Sequence, residues 1–210
     1  MERLDASYYN EDYFRPSPKS SYILPFTVVR QAVILCGGKG KRLRPLTDTV
    51  PKPMVEVCGR PFVSYLITIL RNMGVEDIIL SVGYLKEYFS SLKGVRFSEA
   101  QPIVNDSVLA VDDLADLFIL ANGDCLPILK WKDFLDTGGP RVAIKNGNRD
   151  MGICILDRSL IPSINCGNIR SLIQNGRFDK FVAYGNLSID TPEKLERVRE
   201  FINWWWKEPR

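Results

Sequence analysis

The chain contains no histidine. Histidine-based triads and the commonest neutral-pH general base are therefore excluded. Any chemistry must run on carboxylates, lysine, arginine, backbone amides or a bound metal. Cysteine is sparse and scattered: five residues, at positions 36, 58, 125, 154 and 166, with no CxxC pair. That pattern argues against a zinc site and against a disulfide framework, and is what reduced cytosolic thiols look like. An excess of one charge is also missing. The net charge of +3 is too small to argue for a nucleic-acid partner. No apolar run reaches the about 20 residues of a membrane span. The first residues are acidic and aromatic and lack an apolar core segment, so no signal peptide is expected. A cytoplasmic protein that binds neither nucleic acid nor membrane is the expectation.

What is present is an ordinary globular balance, 45% hydrophobic and 25% charged over 210 residues, enough for a real core. Residues 1–30 read as an irregular N-terminal arm, with Tyr8, Tyr9 and three prolines (Pro16, Pro18, Pro25). Such an arm packs on the domain surface or docks on a partner subunit. Residues 31–210 read as a single domain.

From residue 31 a strand–loop–helix rhythm begins. Gln31–Cys36 is a short apolar run of strand length. Phe62–Met73 has helical spacing and stops at Gly74, a C-cap signal. Strands are expected over Asp77–Val82, Val95–Ser98 and Leu117–Ala121, and helices over Tyr84–Leu92 and Val108–Leu114. Further on come a short helix at Trp131–Leu135, strands at Arg141–Lys145, Gly152–Leu156 and Phe178–Tyr184, and a helix at Ile169–Gln174. A last helix is N-capped by Thr191, carries Pro192 at its first position and runs to about Trp206. Strands alternating with helices predict an α/β fold: a three-layer, mostly parallel sheet with helices on both faces.

In such a sheet ligands bind outside the carboxyl ends of the strands. Two features fall there. The stretch Leu35, Gly37, Gly38, Lys39, Gly40, Lys41 and Arg42 leaves the first strand, and Asp124 follows the Leu117–Ala121 strand. Glycines let backbone amides approach phosphate oxygens without a Cβ in the way. Arg42 offers a planar fork to phosphate. Lys52 sits between Pro51 and Pro53, so its backbone is restricted, and a rigid lysine can stabilise charge on a transferring phosphoryl group. The loop is neither a Walker A sequence nor GxGxxG. A tight turn with solvated cations is the plain alternative.

Gly37-Gly38-Lys39-Gly40-Lys41-Arg42-Leu43-Arg44-Pro45, then Pro51-Lys52-Pro53-Met54, resembles the signature of the sugar-1-phosphate nucleotidylyltransferases, most of all the mannose-1-phosphate and heptose-1-phosphate guanylyltransferase branch. The resemblance continues through Gly74–Tyr84 and Phe118–Asp124 and covers residues 31–126 well and 178–203 loosely. It implies a Rossmann-like nucleotidyltransferase fold. It also implies transfer of a nucleotidyl group from an NTP, GTP favoured, to a sugar 1-phosphate, with release of pyrophosphate. Arg42 would then hold the triphosphate, Lys52 would bridge the α-phosphate and the attacking phosphate, and Asp124 would hold Mg²⁺.

The chain departs from that family in three places. The usual Leu-Gly-Thr-Gly-Gly-Ala, where base and sugar sit, reads Ile103-Val104-Asn105-Asp106-Ser107-Val108 here. Asp106 is the candidate base contact in it, or else Asp106 or Ser107 caps a following helix. The late Asp-Ile-Gly-Thr-Pro-Glu reads Ser188-Ile189-Asp190-Thr191-Pro192-Glu193. The second metal position thus falls on Ser188 by register or on Asp190 by chemistry. The span from Asp124 to Asp190 is only 66 residues, so the sugar-binding insert is shortened. Asp150 stands where relatives carry a sugar-contacting Asn, and reads equally as a turn residue. The choline-phosphate cytidylyltransferase branch also lacks the glycine loop and ends in an Ile-Asp step like Ile189-Asp190. Two alternatives therefore stay open: a cytidylyltransferase acting on a small phosphorylated acceptor such as phosphocholine, and a catalytically weak nucleotide-binding or regulatory paralogue. Trp204-Trp205-Trp206 cannot all face one side of a helix. Packing against the arm or a homodimer contact would cover them.

Overall fold

The structure is a computed structural model, describing residues 29–101, 107–108, 110–146, 149–163 and 178–205. The arm (to residue 28), Asp106 and the Ile169–Gln174 helix lie outside the described residues, as does Trp206.

Strands β1 (Gln31–Leu35), β4 (Asp77–Val82), β5 (Arg96–Glu99), β6 (Leu117–Asn122), β8 (Arg141–Lys145), β9 (Arg149–Asp157) and β10 (Asp179–Val182) form one sheet in the order β10-β8-β9-β6-β1-β4-β5. Pairings β1–β4, β1–β6, β4–β5 and β8–β10 are parallel. Pairings β6–β9 and β8–β9 are antiparallel. The mostly parallel sheet of the sequence reading is present, with β9 running against its neighbours and three residues longer at its start than Gly152–Leu156.

Alternation along the strands buries both faces of the sheet. Ala32, Ile34, Ile78, Leu80, Ile119, Ala121, Ile153 and Ile155 join one cluster, with α1 (Phe62–Asn72), α2 (Trp131–Leu135) and α3 (Pro192–Trp205). Val33, Ile79, Phe118, Leu120, Cys154 and Leu156 join a second, with Val108, Val111, Leu114 and Ile161. Helix α1 ends where the chain turns through Gly74 at φ 88°, a backbone only glycine adopts without strain. Two expected helices come out differently. Tyr84–Leu92 is a 3-10 turn over Lys86–Ser91, because Leu85 is left-handed at φ 52° and delays its start. Of Val108–Leu114, only Val108 is helical among the described residues, and the chain turns at 110 and 112–113. Ser107 spends its hydroxyl on Gln101, accepting from its amide at 2.7 Å and donating to its carbonyl at 3.1 Å.

Two short pairs complete the fold: β2 (Glu56–Val57) with β3 (Arg60–Pro61), and β7 (Cys125–Ile128) with β11 (Gly185–Ser188). On α3, Thr191 Oγ1 accepts from the Lys194 amide at 3.4 Å, the expected cap. Trp205 stacks near Phe201 at 6.0 Å and Trp204 is 52% exposed.

The amino ends of β4 and β5 are tied by charge, far along the strands from the ligand end. Arg96 donates twice to Asp77, at 2.9 and 2.6 Å, and once to Asp113 at 3.1 Å. Buried Gln31 adds an amide donor to Asp77 at 2.8 Å. The Arg96 guanidinium, then Gln31, outweigh burial and hold the Asp77 carboxyl below its ordinary 3.8. A depressed carboxylate stabilises the fold above its unfolded value and loses that contribution as pH falls through its folded value. Thermal melts should therefore show Asp77→Asn less stable than wild type at neutral pH. The gap should close as pH drops below 3.8. A gap independent of pH would contradict the ion-pair account.

Candidate active site

The carboxyl ends of β1 and β6 lie side by side, with Leu35 paired to Asn122. Chain leaves β1 toward β4 on one side and returns to β6 on the other. This is the switch point where an open sheet leaves a crevice. A cavity of about 440 Å³ opens there. Of the residues singled out in the sequence, Leu35, Gly37, Gly38, Gly40, Lys41, Arg42, Lys52 and Asp124 line it, joined by Asn122 and Pro53. Lys39 is exposed outside the lining.

The loop is shaped by close approaches that only glycine permits. A Cβ on Gly37 would stand 2.4 Å from the Ala100 Cβ, and one on Gly123 would stand 2.6 Å from the Cys36 sulfur. Gly40 is left-handed at φ 60°, and its carbonyl accepts from the Thr47 hydroxyl at 2.9 Å. Tyr84 pins the same loop by donating to the carbonyls of Thr47 and Asp48.

The Pro-Lys-Pro step forms a 3-10 turn over Lys52–Met54. It leaves Lys52 only 7% exposed, with its ammonium aimed at the crevice. Nζ lies 2.5 Å from Asp124 Oδ2 and 2.5 Å from Asp190 Oδ1. Those two oxygens are thus no more than twice 2.5 Å apart. Burial on its own lowers the Lys52 ammonium, but the Asp124 and Asp190 carboxylates outweigh it and raise it above its ordinary 10.5. Burial likewise pushes the Asp190 carboxyl up, and Lys52 and Lys194 together bring it below its ordinary 3.8. Lys52 and Asp190 are therefore both charged across the neutral range.

Asp190 reaches the site through the β7–β11 pair. Ser188 is opposite Cys125, and the Ile189 amide donates to the Asp124 carbonyl at 3.3 Å. Arg42 closes over the group, donating to Asp190 Oδ1 at 3.0 Å while its side chain stays 71% exposed. Ser188 stands behind, with its hydroxyl 3.5 Å from Asp190 Oδ2. Between the two candidates for the second carboxylate position, Asp190 is the one that meets Asp124 through Lys52. The structure also adds Lys194, one helical turn beyond Asp190, at 3.2 Å from Oδ2. Its signal was the i,i+4 spacing.

Asp150 lies on β9 outside the cavity lining, and its Oδ1 accepts from the Gly152 amide at 2.8 Å. That is a turn residue's bond, made where Gly152 is left-handed at φ 78°.

A glycine loop with a guanidinium at its lip, over an ammonium bridging two carboxylates, is an arrangement for polyphosphate chemistry. Residues 31–120 match the nucleotidyl transferase family. Those residues carry the family's domain, over less than half of the chain. A choline-phosphate cytidylyltransferase of Streptococcus pneumoniae is 40% identical over 93 residues, 43% of this chain and 38% of that protein. A mannose-1-phosphate guanylyltransferase catalytic subunit beta of Danio rerio is 34% identical over 120 residues, 50% of this chain and 33% of that one. The chain thus spans less than half the length of these curated relatives. Among solved structures, the inositol-1-phosphate CTP transferase from T. maritima superposes with a TM-score of 0.68 at 20% identity, over 88% of this chain and 99% of that one. That likeness speaks for the fold alone. The match begins at β1, takes in the loop and Lys52, and ends within β6 at Leu120, before Asn122 and Asp124.

Proposed function

We propose that this chain transfers a nucleotidyl group from an NTP to a phosphorylated small-molecule acceptor, releasing pyrophosphate. The observation that carries the reading is Lys52, bridging Asp124 and Asp190 at the floor of a cavity walled by the glycine loop. The loop amides and Arg42 would hold the triphosphate. Lys52 would turn from the carboxylates to the α-phosphate and the incoming acceptor phosphate, neutralising both as an acceptor oxygen attacks phosphorus. The bond to the bridging oxygen breaks and pyrophosphate leaves against Arg42. No proton acceptor is needed, since a phosphate is already an anion, and a chain without histidine can do this.

The residues fit a divalent ion. Two carboxylate oxygens already converge on one cation, and hard oxygen donors suit Mg²⁺. Among the described residues no group of three or more His, Cys, Asp or Glu meets, so the remaining coordination would fall to phosphate oxygens and water, as is usual for this ion. Asp124 and Asp190 would hold it, and when bound it supplies positive charge to the phosphates.

A sugar 1-phosphate acceptor with GTP as donor is the first reading, because the front half resembles that branch. A small acceptor such as phosphocholine with CTP is the second. It is favoured by the Ile189-Asp190 step, whose carboxylate meets Lys52 where Ser188 does not. Pyrophosphate release across four NTPs, each with a panel of sugar 1-phosphates and phosphocholine, decides between them. One productive pair is expected. Nucleotide binding without release from any pair would instead support a regulatory paralogue.

A further inference from the structure

The two oxygens of Asp190 have separate partners. Oδ1 faces the crevice and takes Lys52 at 2.5 Å and Arg42 at 3.0 Å. Oδ2 faces away and takes Lys194 at 3.2 Å and the Ser188 hydroxyl at 3.5 Å. Lys194 also donates to Ser188 at 3.4 Å, which closes a three-membered ring of contacts behind the carboxylate. Both cations on the inner oxygen are groups that a triphosphate would claim. Once they leave, the outer pair is what remains, among the described residues, to fix the carboxylate.

We propose that Lys194, backed by Ser188, is a positioning residue that holds Asp190 with its inner oxygen toward Asp124 while nucleotide and metal are bound. The inference rests on the nucleotidyl-transfer reading of this site. The physical argument is one of timing. An exposed i,i+4 ion pair contributes little in isolation, and in the resting state Asp190 has two stronger partners. Lys194 therefore matters little to the empty protein. Its contribution grows when Lys52 and Arg42 turn to phosphate, because an unanchored carboxylate can rotate its charge away from the ion. Groups that orient metal-ligating carboxylates typically change metal affinity by about tenfold to a hundredfold when removed. Chain position suits the role. Lys194 sits in the first turn of α3, whose start is fixed by the Thr191 cap and whose apolar side is buried at Leu195 and Val198. The lysine stem is thus carried on a rigid element.

The test is Mn²⁺ binding, followed by its spin-resonance signal, for wild type, Lys194→Met, Lys194→Arg and Ser188→Ala, each alone and with each of the four NTPs. In the NTP complex Lys194→Met should bind Mn²⁺ about tenfold or more weakly, with Ser188→Ala smaller in the same direction. Lys194→Arg should restore most of the affinity. Melting temperature of the empty protein should hardly move, and turnover should fall through kcat more than through the KM for NTP. Wild-type Mn²⁺ affinity in Lys194→Met, or an equal loss with and without NTP, overturns the positioning role alone. A wild-type chain that binds no Mn²⁺ with any NTP overturns the site reading itself, and this inference with it.

Discussion

Lys52→Met should lower pyrophosphate release by about two to three orders of magnitude, the range for removing one preorganised charge donor from a phosphoryl or acyl transfer site. Methionine keeps the unbranched apolar stem and drops the ammonium, so the loss is chiefly of charge. The same substitution should raise the affinity of the nucleotide-free protein for Mn²⁺. In the resting structure Nζ occupies the point where Asp124 Oδ2 and Asp190 Oδ1 converge. A second cation cannot share that point, since like charges a few ångströms apart repel strongly at a partly desolvated site. Removing Nζ leaves two carboxylates open to the ion. Activity and ion affinity thus move in opposite directions, a result that general damage to the fold would not produce. Unchanged turnover, or an Mn²⁺ affinity lower than wild type in the empty protein, would contradict the role given to Lys52.

Asp124→Asn should reduce transfer to background while leaving nucleotide binding in the absence of metal as tight as wild type, or tighter. The amide keeps the shape and can still accept from Lys52, but it takes one negative charge away from where the triphosphate lies. Ion binding in the NTP complex should fall with turnover. The comparison with Lys52→Met separates the two charges: loss of the anion spares metal-free nucleotide binding, and loss of the cation weakens it. Turnover of Asp124→Asn near that of wild type would remove the carboxylate from the mechanism.

Much of this arrangement was legible before the fold was known, for identifiable reasons. Asp77–Val82 matches its strand residue for residue, because a β-branched apolar run flanked by glycines has few other options. Helix α1 carries a clean apolar stripe and a glycine stop. The glycine loop and Asp124 could be placed on one rim because both follow parallel strands. The β7–β11 pair was not legible. Each strand has four residues, one with Pro127 and the other opening on Gly185, so neither shows a strand period. Their register brings together residues some sixty positions apart. That register sets Asp190, and not Ser188, against Lys52. Side chains two apart on an extended chain point the same way, so sequence alone could not choose. The chain leaves β11 at Ser188, and Asp190 reaches Lys52 from the turn before α3. Lys194 was hidden for a related reason. Its proposed role depends on where Asp190 points, and the stretch that carries Asp106 lies outside the described residues.

The most direct test of the central claim is a crystal structure with Mn²⁺ and a non-hydrolysable NTP, read by the anomalous signal of the metal. The expected result is a peak between the Asp124 and Asp190 carboxylates, the triphosphate along Gly37–Arg42, and Lys52 Nζ moved from the two carboxylates to the α-phosphate. A triphosphate bound elsewhere, with Lys52 still bridging Asp124 and Asp190, would contradict it.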